Sequence, residues 1–439
     1  MSATDTLPTA SAPVGPVPPE PVARPEKSPR RSAAELIAAL VAIVALSVAT
    51  GHAYLLLVIV CIVVIVMVHE LGHFLAAKHG GMKVTEYFVG FGPRLWSFRR
   101  GETEYGIKAL PLGGYVKIPG MTNLEEVDPA DEPRVYRDKP FHARLLVAVA
   151  GSAMHFLMAF VLLVALVALV GTPNTSQVQI QGVGALGGKP GPAAAGGIRA
   201  GDIVVSVDGK PIGASTGTLT SVIEGHPGVP VTVVVDRGAQ RKTLTVTPVN
   251  GRTHPESGAS VPEGSAPYGI IGVSLGPPTQ RVSPLDSLGS AGANLGHLMW
   301  ASVVGVGHLF SPGGVSHQFD QVTSAKAAST AAANGTRVTS IVGVVQVATQ
   351  AAQTGIGNLL YILILINVFF GIFNLFPMLP LDGGHVAIAV YEKIRTGRRT
   401  VMYHADVAKL MPFAWLMLLI LGIIILPALL TDILHPVTG

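Results

Sequence analysis

The chain is 439 residues long, 13% charged and 49% hydrophobic, with a mean hydropathy of +0.51. So small a charged share excludes a disordered chain and argues against an ordinary soluble enzyme; a multi-spanning membrane protein is the default. A net charge of +4 implies no nucleic-acid partner, and the one cysteine, Cys61, excludes a disulfide framework and a cysteine-based zinc site.

Residues 1–34 are rich in Pro, Ala and Ser, end in Lys27, Arg30 and Arg31, and read as a disordered cytoplasmic tail. Residues 35–50 form a first apolar run. A signal-peptide core is one reading, but the long preceding tail and the lack of a small-residue cleavage motif favour a short extra span. Residues 53–77, 145–170, 356–376 and 413–430 are four further spans, each near the ~20 residues that cross hydrocarbon. The expected fold is thus a multi-pass α-helical membrane protein of about five spans.

Segments 1–34, 78–144 and 377–412 carry 4, 11 and 5 of the 30 Lys and Arg, and the longer 171–355 carries the other 10. The basic excess assigns the first three to the cytoplasm and 171–355 to the outside. Within the outer segment, Pro192–Gly201 is a run of small residues ahead of Asp202. It leads into a strand at Ile203–Val207, an Asp208-Gly209 turn and further β-branched runs at Val231–Val235 and Thr243–Val249. This order resembles a bacterial PDZ domain over 177–276; an unrelated small β-domain is the other reading. Residues 277–355 form an extracytoplasmic connector, with apolar stretches such as Leu298–Leu309 expected on the membrane surface.

The chemistry centres on His69-Glu70-Leu71-Gly72-His73, at the end of the 53–77 span. On a helix His69 and His73 are one turn apart on one face, so both can ligate one Zn²⁺, with Glu70 beside them to take a proton from water. Ionisable groups inside a span cost at least ~2.5–3.5 kcal/mol each when central. A divalent metal is the obvious compensating partner.

A catalytic zinc site usually takes a third protein ligand and leaves a position for water. The run Asn374-Leu375-Phe376-Pro377-Met378-Leu379-Pro380-Leu381-Asp382-Gly383-Gly384-His385 ends the 356–376 span. By topology this span and 53–77 both run inward, so Asp382 and His73 reach one depth. Pro377 and Pro380 break the helix there, which is tolerated where backbone lines a protein cavity. Asp382 is the candidate third ligand; the competing reading makes it a cap on the following helix. His385 reads as a surface group or a hydrogen-bonding neighbour rather than a ligand.

These two motifs, the PDZ-like insert between them, Phe88-Val89-Gly90-Phe91-Gly92-Pro93, and Tyr105–Lys117 with its Leu112-Gly113-Gly114-Tyr115 core together resemble the site-2 protease family of intramembrane zinc metalloproteases, in its PDZ-containing bacterial branch. The resemblance covers about 53–430. It implies Zn²⁺ held by His69, His73 and Asp382, with Glu70 as general base. It implies a cytoplasmic-side β-hairpin within 78–144, where Gly113 and Gly114 meet an unwound substrate, and a substrate contact or helix-end role for Asn374. The implied substrates are single-span membrane proteins, among them anti-sigma factors and remnant signal peptides, in the bacterial cytoplasmic membrane. The alternative is a catalytically inactive membrane scaffold binding peptides through the PDZ-like domain; a transporter lacks support from any inverted repeat. One departure stands out. Where the family has Gly-Pro-x-x-Asn, this chain has Gly151-Ser152-Ala153-Met154-His155. His155 could be an extra ligand, a hydrogen-bonding neighbour of the ligands or a neutral change. A fourth protein ligand would take the position that water needs, and Asn and His offer a donor and an acceptor of similar reach, so His155 is expected to be a neutral hydrogen-bonding neighbour near the zinc.

Overall fold

The structure is a computed structural model that describes residues 29–121, 127–213, 216–253, 267–333, 337–397 and 403–435. The tail expected over 1–34 lies outside them as far as residue 28. Helix α1 (Pro29–Ala49) precedes α2 (Ala53–His79), a nearly uninterrupted apolar helix. After β1 (Glu86–Arg100) and β2 (Thr103–Lys117) comes α3 (Phe141–Val170). Helices α2 and α3 run antiparallel and cross closely. A Cβ on Gly72 would stand 2.5 Å from the Ala150 carbonyl oxygen, so glycine is what lets the two backbones approach.

The two long strands make more than a hairpin. Residues 96–100 pair antiparallel with 103–107, while 86–89 lie between 104–107 on one side and 114–117 on the other. Each strand therefore doubles back, and 114–117 forms an edge with no strand partner beyond 86–89 among the described residues. The sheet docks on α2. The Tyr87 hydroxyl donates to the Met67 carbonyl at 2.8 Å, and Phe74, Tyr87 and Tyr105 pack ring against ring.

Between α3 and the next long helix lies a β-rich domain with its own core. It comprises β3 (Val178–Val183), α4 (Pro192–Ala195), β4 (Ile203–Val207), α5 (Gly217–Gly225), β5 (Val231–Arg237), β6 (Gln240–Val246) and β7 (Val273–Gly276). The sheet runs β6–β5–β4–β3–β7, with the short strand Lys210–Pro211 also pairing with β4. β-branched residues such as Val204, Val207, Val231, Val233 and Val235 face inward with Leu219, Val222 and Ile223 of α5. The domain is joined to the helices where Thr172–Pro173 pairs with Thr279–Gln280.

The remaining chain is helical: α6 (Pro284–Leu309), α7 (Pro312–Thr323), α8 (Ala325–Ala333), α9 (Ile341–Thr354), α10 (Ile356–Asn374), α11 (Asp382–Thr396) and α12 (Met411–Leu434). Among the described residues, four segments are long and apolar enough to cross a membrane: α2, α3, α10 and Val407–Leu434. The apolar part of α1, Ala34–Ala49, is shorter, and at ~1.5 Å per residue falls short of ~30 Å of hydrocarbon. The segment 277–355 packs more closely on the helices than its sequence suggests. Helix α6 packs Ala291, Leu295, Leu298 and Met299 against Leu163 of α3 and Ile364 and Val368 of α10. It bends by 76° into α7, the pair forming a broken span or a re-entrant loop. Phe310 at the bend stacks on Phe376, centroids 5.1 Å apart. The return is fixed by Asp432 of α12, which pairs with Arg337 and accepts the Ser340 N–H and hydroxyl.

In the β-domain, Asp202 is wholly buried, takes both arms of the Arg237 guanidinium at 2.7 Å and accepts the Arg199 N–H at 2.9 Å. Burial alone would raise its carboxyl, but these partners hold it below the ordinary 3.8. A depressed folded value means that the unfolded domain binds more protons near pH 4, so the stabilisation is present above that pH and lost as pH falls through the folded value. Asp202→Asn should cost about 3 kcal/mol at pH 7. Urea unfolding of residues 172–280 should show that this difference shrinks below about pH 3.8; a pH-independent difference would contradict the assignment.

Candidate active site

His69 and His73 sit at the same face of α2, both buried, with their Nε2 atoms 3.2 Å apart and ring planes at 81°. Both rings lie against α3. His73 Nδ1 donates to the Val147 carbonyl at 2.8 Å, so its Nε2 carries the lone pair. Gly151 faces both rings: a Cβ there would stand 2.5 Å from His73 Nε2 and fall onto the His69 ring. The space beside the two imidazoles therefore depends on α3 having no side chain at that turn.

Helix α10 ends at Asn374, and the chain then runs irregularly through Pro377 and Pro380 to α11, whose first residue is Asp382. The cap position of α11 falls on Leu381, and Asp382 is the first residue inside the helix. Its Oδ2 lies 3.4 Å from His69 Nε2 and 3.3 Å from His73 Nε2. That oxygen is buried and takes no hydrogen bond. The three donor atoms thus form a nearly equilateral triangle. In a tetrahedron with ~2.0 Å bonds the ligand atoms stand ~3.3 Å apart, which is the separation found here. Two imidazoles and a carboxylate, with one carboxylate oxygen left without a donor, fit a catalytic zinc set that keeps a fourth position for water.

Glu70 follows His69 on the adjoining face of α2, against the sheet. A Cβ on Gly114 would stand 3.5 Å from Glu70 Cγ and 2.7 Å from Met67 Sδ, so the edge 114–117 runs beside the Glu70 side chain. Gly113 precedes it with φ +145°. The geometry thus sets a carboxylate, three metal-type donors and an open strand edge side by side.

His155 of α3 lies with its ring centroid 4.9 Å from that of His69, but the donor cluster within 4.8 Å holds His69, His73 and Asp382 and not His155. Its Nδ1 bonds Asn367 Oδ1 at 3.1 Å, and Asn367 Nδ2 donates to the Leu363 carbonyl at 2.8 Å. The second bond orients the amide, so His155 Nδ1 is the donor. Asn367 is fully buried and was missed by the motif reading; its signal is a lone amide in the middle of an apolar span. Asn374 is half-buried at the end of α10, with no hydrogen bond to the donor cluster, and His385 packs against the Tyr136 ring.

Comparison with known proteins agrees with this chemistry. The profile of peptidase family M50 matches residues 57–419. The zinc metalloprotease Rip1 of Mycobacterium tuberculosis is 32% identical over 406 residues, covering 86% of this chain and 96% of that protein. Rip1 of Mycolicibacterium smegmatis is 32% identical over 408 residues, with the same coverage. A family match over most of the chain, together with its several apolar spans, decides the class. This chain belongs to peptidase family M50, the site-2 proteases, and is a multi-pass membrane zinc metalloprotease.

Proposed function

We propose that His69, His73 and Asp382 are the zinc ligands, that Glu70 is the general base, and that the enzyme hydrolyses peptide bonds in or beside the transmembrane helix of single-span substrates. The observation that carries this reading is the triangle of donors, 3.2, 3.3 and 3.4 Å on its sides, with Glu70 next to it. Zinc, when bound, supplies Lewis acidity and brings its water toward a pKa of ~7. The chain does the rest. Glu70 takes the proton of the attacking water and returns it to the leaving amine. The tautomer of His73, set by Val147, keeps Nε2 free to ligate. A helical substrate hides its carbonyls in hydrogen bonds, so it must unwind. The edge 114–117 offers N–H and C=O groups that pair with the unwound chain in extended form and hold it against Glu70.

The strand order, the two short helices and the small-residue run before Gly201-Asp202 support a PDZ-like reading of the β-domain. The Lys and Arg asymmetry supports its placement outside the bacterial cytoplasmic membrane, opposite 78–144. In that place it acts on the outer part of a substrate, as a size filter or a tail binder. Anti-sigma factors and remnant signal peptides are the substrate classes that fit a single short span.

Metal analysis and a membrane-embedded reporter test the roles. His69→Ala, His73→Ala and Asp382→Ala should each lower both zinc content and cleavage. Glu70→Gln should keep the metal and slow cleavage by about 10²–10⁴-fold or more; full metal and rate in Asp382→Ala would remove it from the set. His155→Asn should retain zinc, because asparagine can still donate to Asn367, with cleavage within a few-fold; loss of zinc in folded protein would make His155 a ligand. Protease added outside intact cells should cut within 171–355 and spare 78–144. The reverse pattern would invert the topology.

A further inference from the structure

Asp382 is carried by a different element from the histidines, and an irregular segment separates α11 from α10. Something must set α11 in register, because one residue of slip is a ~1.5 Å shift and a ~100° turn. Metal ligands tolerate about ±0.2 Å. Two side chains sit where they can set it. Arg144 of α3 and Glu392 of α11 form an ion pair, with 4% and 5% of their side chains exposed. Glu392 also accepts the Ala405 N–H at 2.6 Å. Tyr136 donates to the Arg144 carbonyl at 3.2 Å, and its ring stands edge-on to His385, one turn beyond Asp382. Arg144 lies three residues before Val147, whose carbonyl holds His73, and two turns before Gly151, which faces both imidazoles.

A buried ion pair is weak evidence for stability, since an apolar pair of similar volume often serves as well. Its directional bonds fix a geometry that an apolar pair does not. We propose that Arg144 and Glu392 are positioning residues: α3 acts as a ruler that grips His73 through Val147 and α11 through this pair, and so sets the distance from Asp382 to the histidines. The proposal rests on the ligand assignment above.

Zinc affinity of the full chain in detergent, measured by competition with a fluorescent chelator, tests it, beside the melting temperature of the metal-free protein and reporter cleavage. Arg144→Met with Glu392→Met should melt within a few degrees of wild type yet bind zinc ~10–100-fold more weakly. Arg144→Lys keeps the charge but loses the guanidinium fork, and should lose several-fold at an unchanged melting temperature. The charge-swapped pair Arg144→Glu with Glu392→Arg should recover part of the loss of the Met pair. Wild-type zinc affinity in the Met pair, or in Arg144→Lys should the Met pair fail to insert, overturns the proposal. Asp382→Ala is the control for the foundation. If it binds zinc like wild type, the ligand assignment fails; if it loses zinc while the Met pair does not, only the ruler fails.

Discussion

Two imidazoles and a carboxylate are packed within van der Waals reach of one another among apolar helices, the histidines buried and the carboxylate partly so, where little solvent hydrates them. Such a cluster is costly unless its lone pairs converge on something. Their convergence governs the surrounding structure. Helix α2 supplies both histidines through a one-turn spacing. Helix α3 must then come close enough to hold the rings without covering them, which is why Gly72 and Gly151 face each other's helix at that level. The break before α11 delivers Asp382 from a third direction. Each element near the cluster either orients a donor or leaves room for one.

The same constraint separates two sides of α2. Residues 69, 72, 73 and 76 turn to α3, while 67, 70 and 74 turn to the sheet. The two histidines and the base are thus adjacent in sequence but face different neighbours, one an apolar helix, the other an open strand edge. Helix α6 closes the groove between α3 and α10, and Phe310 seals its end against Phe376. The metal-type donors are therefore backed by packed helices, whereas Glu70 borders the part of the structure that can still accept a strand.

The local features were legible in the sequence. The histidine pair is a helical period, the Pro-broken run around Asp382 is a local backbone signal, and the strands at 203–207 and 231–235 are β-branched runs, the first followed by an Asp-Gly turn. What escaped depends on contacts far apart in the chain. Helix α6 is interrupted by Gly289, Gly292, Gly296, Gly305 and Gly307, so only Leu298–Leu309 stood out as apolar. It is helical over 26 residues because α3 and α10 bury one of its faces. The doubling-back of β1 and β2 has no periodic mark, because alternation reveals a strand and not its partners. Arg144 and Glu392 are 248 residues apart and leave no local trace at all.

His155 shows how a departure from a motif can be absorbed. An imidazole next to His69 invites reading as a fourth ligand, but the donor atoms that converge are those of His69, His73 and Asp382; His155 instead bonds Asn367 through Nδ1, and Asn367 donates to the Leu363 carbonyl. The ring is thereby tied to α10, and it stacks on Phe370 of the same helix. This bond fastens α3 to α10 near the midpoint of the bundle, while Arg144 fastens α3 to α11 at its end. The two polar links bracket the cluster along α3. Helix α3, which contributes no donor of its own, is the element through which the positions of the other helices are compared. A change that leaves all three donors intact but tilts α3 would alter their mutual distances, so the sensitivity of the site extends along the whole of that helix.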